Sequence, residues 1–188
     1  MKIPIEISAR HIHLSREDFE RLFGKNEKLN VMKNLSQPGE FASDKTVELI
    51  NEDKKIEKVR ILGPFRKNSQ AEISITDAYS LKLNPIPKIK VSGDLADTTN
   101  ISVKNKNNSI KIQCIIAQRH LHCSEEEAKK LKLKNNQEVS ISVDGMRKLT
   151  FHNVTVRVSD KFKLALHLDT DEGNAAGISG KTLGELVK

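Results

Sequence analysis

The sequence has 188 residues, of which 37% are hydrophobic and 30% are charged, a balance typical of a folded protein rather than a disordered chain. No apolar run approaches the roughly 20 residues that a membrane-spanning helix needs, and the first residues lack the apolar segment of a secretion signal. Two cysteines cannot form a disulfide framework, so we expect a cytoplasmic protein with no membrane partner. These features exclude the membrane, fibrous and disulfide-rich classes.

The chain is basic, with 32 lysine and arginine residues against 25 aspartate and glutamate residues and a formal net charge of +7. Nucleic-acid binding usually adds aromatic side chains on which bases stack, but this sequence has no tryptophan and one tyrosine. Its lysines are also dispersed, so we expect no nucleic-acid partner. A small polyanion such as phosphate suits the charge equally well, and a solvated surface needs no ligand.

The first half of the chain opens with strand and helix signals. Apolar residues alternate over 3–7 and predict a strand. Ser15, with an acidic residue three positions later, predicts the start of a short helix that ends at Gly24. Segments 84–87 and 104–109 predict loops, the second being a candidate boundary between two halves.

The second half of the chain is dominated by strand signals. Ser124, followed by three acidic residues, predicts a second short helix. Alternation then runs over 139–143, 154–158 and 162–168, with a turn at 144–145. Many short strands with few helices favour a barrel or a sandwich over a doubly wound sheet.

An internal repeat links the two halves. Residues 8–15 recur as 117–124, because both segments have an arginine, then histidine-apolar-histidine, then a serine that opens a helix. A weaker correspondence relates 59–78 to 156–171. The two correspondences differ in offset, so the copies differ in loop length.

The repeated histidine pairs are candidate metal ligands. Histidines at positions i and i+2 of a strand point to the same face, so His11 with His13, and His120 with His122, can each bind one ion. If one strand ran on from 3–7, the first pair would also share its apolar face. Two copies in matched contexts use four of the six histidines, which favours metal binding over a structural role.

Each pair needs a third ligand, and the weaker correspondence supplies Glu72 for the first pair and His167 for the second. Taken alone, Glu72 would be an ordinary surface acid. The predicted sets are His11, His13 and Glu72, and His120, His122 and His167. Two histidines with a glutamate and three histidines are both known catalytic zinc sets, although cobalt, nickel and iron accept the same donors.

Other reactive residues carry weaker signals. The turn 63–66 ends at Arg66, whose planar fork suits phosphate oxygens but which, on pattern alone, is a turn residue. Cys114 lies in an apolar run and is predicted to be core, whereas Cys123 points away from the histidine face. His152 has no repeat partner and is interpreted as a surface residue. No glycine-rich phosphate loop is present, which argues against a P-loop nucleotide site.

Motifs along nearly the whole chain resemble those of the PduL-type phosphate acyltransferases, the phosphate propanoyltransferase family. They lie at 8–15, 35–42, 59–66, 70–74, 92–94, 119–122, 166–172 and 174–176. The resemblance implies a zinc-dependent phosphotransacylase that interconverts acyl-CoA plus phosphate with acyl phosphate plus CoA. It implies a mainly β fold of two tandem, pseudo-repeated β-barrels with short capping helices. The barrels would comprise 10–117 and 118–188, the second joined by the N-terminal strand 1–9.

The resemblance also assigns roles to residues. Two zinc ions would lie between the barrels. His11, His13 and Glu72 would hold the one that meets the CoA sulfur, and the second would be held by His120, His122 and His167. Arg66 would bind phosphate. A homodimer is implied. Family members from shell-bounded compartments often carry an N-terminal targeting extension, and this chain begins almost at its first strand. We therefore expect a free cytoplasmic enzyme that uses acetyl-CoA or propanoyl-CoA.

Three alternatives remain open at this stage. A two-zinc hydrolase of thioesters or phosphate esters would use water where the transferase uses phosphate. A basic, metal-stabilised barrel could bind nucleic acid, with a steep salt dependence. The histidines could also be hydrogen-bonded pairs without metal. For the transferase, our hypothesis is metal-assisted direct attack of phosphate on the thioester, with both cysteines as bystanders.

Overall fold

The computed structural model describes residues 2–187, which form fourteen strands and four short helices. The strands are β1 (Lys2–Ser8), β2 (His11–His13), β3 (Val31–Asn34), β4 (Phe41–Asn51), β5 (Lys54–Gly63), β6 (Gln70–Ile73), β7 (Ile89–Lys90), β8 (Thr99–Asn105), β9 (Asn108–Ala117), β10 (His120–Cys123), β11 (Glu138–Val143), β12 (Leu149–Val158), β13 (Ala165–Asp169) and β14 (Thr182–Leu186). The helices are α1 (Arg16–Phe23), α2 (Ile75–Ser80), α3 (Glu125–Leu131) and α4 (Thr170–Ala175). No helix among these residues is long and apolar enough to cross a bilayer.

The chain divides into two compact units. The first unit is Arg10–Ala117, and the second is formed by the described residues before and after it. In the first unit six strands close a barrel in the order β4, β5, β2, β6, β9 and β8, since β8 pairs with both β9 and β4. β3 extends the sheet beside β4, and β7 pairs with β9.

The second unit is also a closed barrel of six strands, in the order β11, β12, β10, β13, β1 and β14. Each pairing has the same direction as its counterpart in the first unit. For example, β2 runs parallel to β5 and antiparallel to β6, as β10 does to β12 and β13. The predicted fold of two pseudo-repeated β-barrels with short helices is confirmed.

The equivalence of the barrels extends to the strand that precedes each histidine pair. β1 precedes β2 in the chain but pairs with β13 and β14 of the second unit. β9 precedes β10 but pairs with β6 and β8 of the first unit. The predicted boundary loop at 104–109 is wrong, because β8 and β9 form a tight hairpin there, with Asn105 paired to Asn108.

Each unit has its own apolar core, built from the inward-facing alternate residues of its strands. Ile12, Phe19, Leu49 and Val103 are fully buried or nearly so in the first core. The second core is built around the buried side chains Ile3, Ile141, Val154, Leu121 and Leu166. The alternation predicted over 3–7, 139–143 and 154–158 is therefore confirmed as strand structure with a buried face.

Short helices follow the histidine strands as predicted. The hydroxyl of Ser15 accepts from the Asp18 backbone N–H at 3.1 Å, and Ser124 caps α3 in the same way. Gly24 ends α1 with a φ of +98°, which a residue with a side chain rarely adopts. α2 and α4 were not predicted, and they begin directly after the strands β6 and β13.

Candidate metal centres

The first candidate centre lies on two neighbouring strands of the first unit, β2 and β6. β2 is only three residues long, and its register pairs His11 with Glu72 and His13 with Gln70 on β6. The relative exposures of His11, His13 and Glu72 are 6%, 3% and 6%. β2 therefore contributes two imidazoles, and β6 one carboxylate, to the same buried space.

β1 and β2 do not form one continuous strand, so the condition for a shared apolar face is not met, although the histidines are buried. Arg10 lies in a bend between them, and the two strands belong to different barrels. The faces of Ile3 and Ile5 therefore do not set the direction of the histidines. What buries His11 and His13 is the position of β2 between β5 and β6.

The three donor groups of the first centre converge. His11 Nε2 lies 3.7 Å from Glu72 Oε2, and His13 Nε2 lies 3.7 Å from Glu72 Oε1. The two imidazole rings are nearly perpendicular, with centroids 5.0 Å apart. One donor atom from each residue lies within 4.8 Å of the others. This separation suits one small cation placed between them.

The protonation of this centre also suits a cation. Burial, then the neighbouring His11 and Arg66, holds the pKa of His13 well below its usual range, so its imidazole is neutral. Burial alone would raise the pKa of Glu72, but His11, His13 and Ser92 together hold it well below its usual range. A neutral imidazole and an ionised carboxylate are the forms that bind metal.

A polar network surrounds the Glu72 carboxylate. The Ser92 hydroxyl donates to Glu72 Oε1 at 2.6 Å, and the Gln70 amide donates to the same oxygen at 2.5 Å. Gln70 also accepts from the Gly93 backbone N–H at 3.1 Å. Hydrogen bonds to a carboxylate fix its orientation as well as its charge. The segment around Ser92 and Gly93 thus supports the carboxylate from outside β6.

Arg66 joins this network. Its Nη1 donates to the Ser92 hydroxyl at 2.7 Å and lies 3.8 Å from Glu72 Oε1, while Nη2 contacts Glu40 Oε1 at 3.4 Å. Its backbone N–H donates to the Leu14 carbonyl at 2.9 Å, which ties the Arg66 loop to the residue after the first histidine pair. The side chain is about one-third exposed. A partly accessible guanidinium therefore lies beside the donor cluster.

The second candidate centre consists of three histidines in the second unit. The register of β10 and β13 pairs His120 with His167, as β2 and β6 pair His11 with Glu72. The ring centroids lie 4.5 to 4.9 Å apart. His120 Nδ1 lies 2.9 Å from the Gln118 carbonyl oxygen, which places the N–H of a neutral ring on Nδ1 and the lone pair on Nε2.

The His122 ring lies in a buried, largely apolar environment. Among the described residues neither ring nitrogen has a hydrogen-bond partner, and both are buried. Its ring stacks on Phe162 with centroids 3.9 Å apart. Burial, with smaller effects from His120, His167 and Arg157, lowers its pKa to about 2. An unpaired buried nitrogen costs about 1–3 kcal/mol, which a bound cation would offset.

The sequence is similar to a known family of enzymes along most of its length. The phosphate propanoyltransferase family model matches residues 4–179. This chain belongs to that family. It is 41% identical to the phosphate propanoyltransferase of Alkaliphilus metalliredigens, an alignment that covers all of this chain and 89% of the relative. The corresponding values are 40%, 99% and 89% for Clostridioides difficile, and 43%, 98% and 85% for Lachnoclostridium phytofermentans.

The candidate centres include residues that the sequence analysis did not propose as site residues. Gln70 could have been found, because it lies two positions before Glu72 and so shares its strand face. Ser92 belongs to a segment too short to stand alone as a motif. Glu40 and Phe162 had no local signal, because tertiary packing brings them to the donor groups.

Other sequence predictions agree with the structure. Cys114 and Cys123 are fully buried in the first and second cores. Burial raises the pKa of Cys114 to about 12 and that of Cys123 to about 11, so neither is a ready nucleophile. His152 is exposed and hydrogen-bonds the Ser140 hydroxyl.

Proposed function

We propose that this protein is a phosphotransacylase that interconverts acyl-CoA plus phosphate with acyl phosphate plus CoA, using propanoyl-CoA or acetyl-CoA. Its family membership and the name shared by its relatives support this reaction. The observation that carries the proposal is the Arg66 guanidinium, held next to a cluster of buried donor groups by the shared Ser92 hydroxyl. That arrangement supports an anion-binding role for Arg66 beside a candidate metal centre.

The donor groups fit two zinc ions. His11, His13 and Glu72 would hold one ion, and His120, His122 and His167 would hold the other. The unpaired nitrogens of His13 and His122 support this assignment, as does the match to known catalytic zinc sets. A bound zinc ion would polarise the thioester carbonyl and stabilise the departing thiolate.

Charge gives a second reason for a cation at the first centre. With neutral imidazoles, Arg66, Glu72 and Glu40 together carry one net negative charge, which would repel phosphate. A divalent cation reverses the sign and leaves one net positive charge. The residues around Arg66 thus suit a phosphate ion only when a cation accompanies Glu72.

Arg66 would hold and orient phosphate. Its hydrogen bonds to Ser92 and Glu40 use two of five N–H donors, so the partly exposed fork retains donors for phosphate oxygens. Phosphate is a weak nucleophile, and fixing it against the thioester supplies the orientation that the reaction needs. A phosphate oxygen then attacks the carbonyl, the acyl–oxygen bond forms, and the carbon–sulfur bond breaks to release CoA. No acyl-enzyme is required.

We also propose a cytoplasmic homodimer. Ile75 and Tyr79 lie four positions apart on α2 and so share one helix face, and both are exposed, Tyr79 by 67%. Such apolar groups are suited to contact with a second subunit. Two free cysteines, each in its own core, suit a reducing compartment.

The reaction is tested by measuring CoA release from propanoyl-CoA and acetyl-CoA, with and without phosphate. The protein is used as purified, after chelation, and after zinc is restored. Arg66→Lys retains the charge but loses the fork, whereas Arg66→Gln loses both. Arg21→Gln removes an exposed arginine of α1 in the same unit and serves as the matched control.

We expect release that needs phosphate, is lost on chelation and returns with zinc. The phosphate KM should rise more in Arg66→Gln than in Arg66→Lys, and Arg21→Gln should match the unmodified protein. CoA release in the absence of phosphate would mean that the protein is a hydrolase and not a transferase. No release with either substrate from zinc-loaded protein would refute the proposed reaction.

A further inference from the structure

Each histidine pair is preceded by an arginine that forms an ion pair within its own unit. Arg10 Nε donates to Asp77 Oδ1 at 2.8 Å, and Nη2 lies 2.7 Å from the same oxygen. Arg119 Nε lies 2.7 Å from Glu172 Oε1. The Asp77 side chain is 4% exposed and that of Glu172 is 18% exposed. The two ion pairs are therefore counterparts in the two barrels.

The acidic partners occupy matched positions. Asp77 and Glu172 each lie five residues after the third candidate ligand of their centre, Glu72 or His167. Each is the third residue of a short helix and closes a capping box, in which its second oxygen accepts the backbone N–H of the N-cap residue. One oxygen thus fixes the helix start, and the other binds the arginine before the histidines.

The connection matters because the histidine strands are very short. β2 has three residues and β10 has four, so few ladder hydrogen bonds fix them. Each arginine ties the start of the histidine strand to the helix that follows the partner strand. The ion pair therefore fixes the start of the histidine strand, and with it the position of the histidines relative to the third donor.

We propose that the pairs Arg10–Asp77 and Arg119–Glu172 are positioning clamps that hold the three donors of each centre at metal-binding separation. This inference rests on the proposed metal centres. Donor groups must be held to within about 0.5 Å for tight binding, and residues outside the ligand set achieve this. The four residues of the clamps lie outside the two candidate ligand sets.

The test uses Asp77→Asn, which keeps an oxygen for the helix cap but removes the charge that binds Arg10. Zinc affinity is measured on metal-free protein by competition with a chelator, and the visible absorption of the cobalt-loaded protein reports donor geometry. Arg10→Lys provides a second, milder change. Val103→Ala, in the core of the same unit, is the control for lost stability.

We expect Asp77→Asn to weaken zinc affinity about tenfold or more at the centre of His11, His13 and Glu72 and to change the cobalt spectrum. The zinc affinity of the other centre should stay unchanged. Glu172→Gln should weaken the other site instead. Val103→Ala should lower Tm at least as much as Asp77→Asn does, without changing the zinc affinity of either centre.

Two outcomes would overturn the clamps. One is unchanged affinity and spectrum in Asp77→Asn when the unmodified protein binds zinc, and this would leave the proposed reaction standing. The other is an unmodified protein that binds no zinc, which would overturn the metal centres too. A site-selective loss of affinity in a protein without transferase activity would support the clamps and refute the reaction.

Discussion

Removing the Ser92 hydroxyl should impair the use of phosphate more than it impairs folding. Ser92 donates to Glu72 at 2.6 Å and accepts from Arg66 at 2.7 Å, so one oxygen links the candidate phosphate anchor to a candidate metal ligand. Ser92→Ala deletes these two bonds and a third, which the hydroxyl accepts from the Gln70 amide at 2.9 Å. It leaves the Arg66 fork with Glu40 as its remaining hydrogen-bond partner among these residues. The guanidinium should then shift toward Glu40, away from the donor cluster.

The magnitude follows from the two charge-assisted bonds. A hydrogen bond to a charged group contributes about 1.5–3 kcal/mol. If only the Arg66 bond bears on phosphate, the loss of transition-state stabilisation corresponds to about 10-fold to 150-fold in kcat/KM for phosphate, since 1.4 kcal/mol is a factor of ten. Water at this half-buried position would replace part of the lost bonds, so we expect the lower end of this range.

The assay is steady-state CoA release with phosphate varied at saturating propanoyl-CoA. Ser80→Ala, which removes an exposed hydroxyl of α2 in the same unit, is the control and should leave kcat/KM unchanged. A double-variant cycle with Arg66→Gln tests the route of the effect. If Ser92 acts through Arg66, the double variant should be no worse than Arg66→Gln alone.

Two results would contradict this reasoning. One is a loss of less than twofold in kcat/KM for phosphate in Ser92→Ala, which would mean that the hydroxyl does not hold Arg66 in place. The other is a fully additive loss in the double variant, which would mean that Ser92 acts by another route, through its hydrogen bonds with Glu72 or Gln70.

Three further predictions concern the cores and the second centre. Cys114→Ala and Cys123→Ala should each retain CoA release, and in the folded protein both thiols should resist thiol reagents that react after urea unfolding. Gly63→Ala should lower the free energy of unfolding by about 1–3 kcal/mol in a urea titration, because an added Cβ would overlap the Phe41 ring. His167→Ala should reduce bound zinc from two equivalents per chain to one, measured by elemental analysis. Loss of activity in a cysteine variant with intact metal content would contradict direct attack.

The strands and helix starts that the two barrels share could be predicted from the sequence, because local residue patterns indicate them. Alternation with period two identifies strands wherever one face is buried, and the serine caps of α1 and α3 act within three residues. The correspondence between Glu72 and His167 appeared in weak sequence similarity and lies in the strand register. These features need no distant contact to be recognised.

Other features depend on where the chain goes next. β1 and β2 follow each other closely in sequence but enter different barrels, and no local pattern indicates that change of partner. The starts of α2 and α4 were not predicted, because each follows directly after a strand pattern. Ser74 with Asp77, and Asp169 with Glu172, nevertheless have the spacing of a capping box. Phe162 is brought to His122 by tertiary packing alone.

The difference between the two centres follows from one exchanged residue at a shared register position. Glu72 and His167 face equivalent histidines, so both centres can offer three donors, but only the first contributes a negative charge. With a divalent cation and neutral imidazoles, the first set carries one positive charge and the second carries two. In the function proposed here, the lower charge of the first set lies beside Arg66, so the guanidinium and the cation divide the attraction for phosphate between them. Neither then binds the anion so tightly that it could not be transferred, and the carboxylate that lowers the charge is the one that Ser92 holds in place.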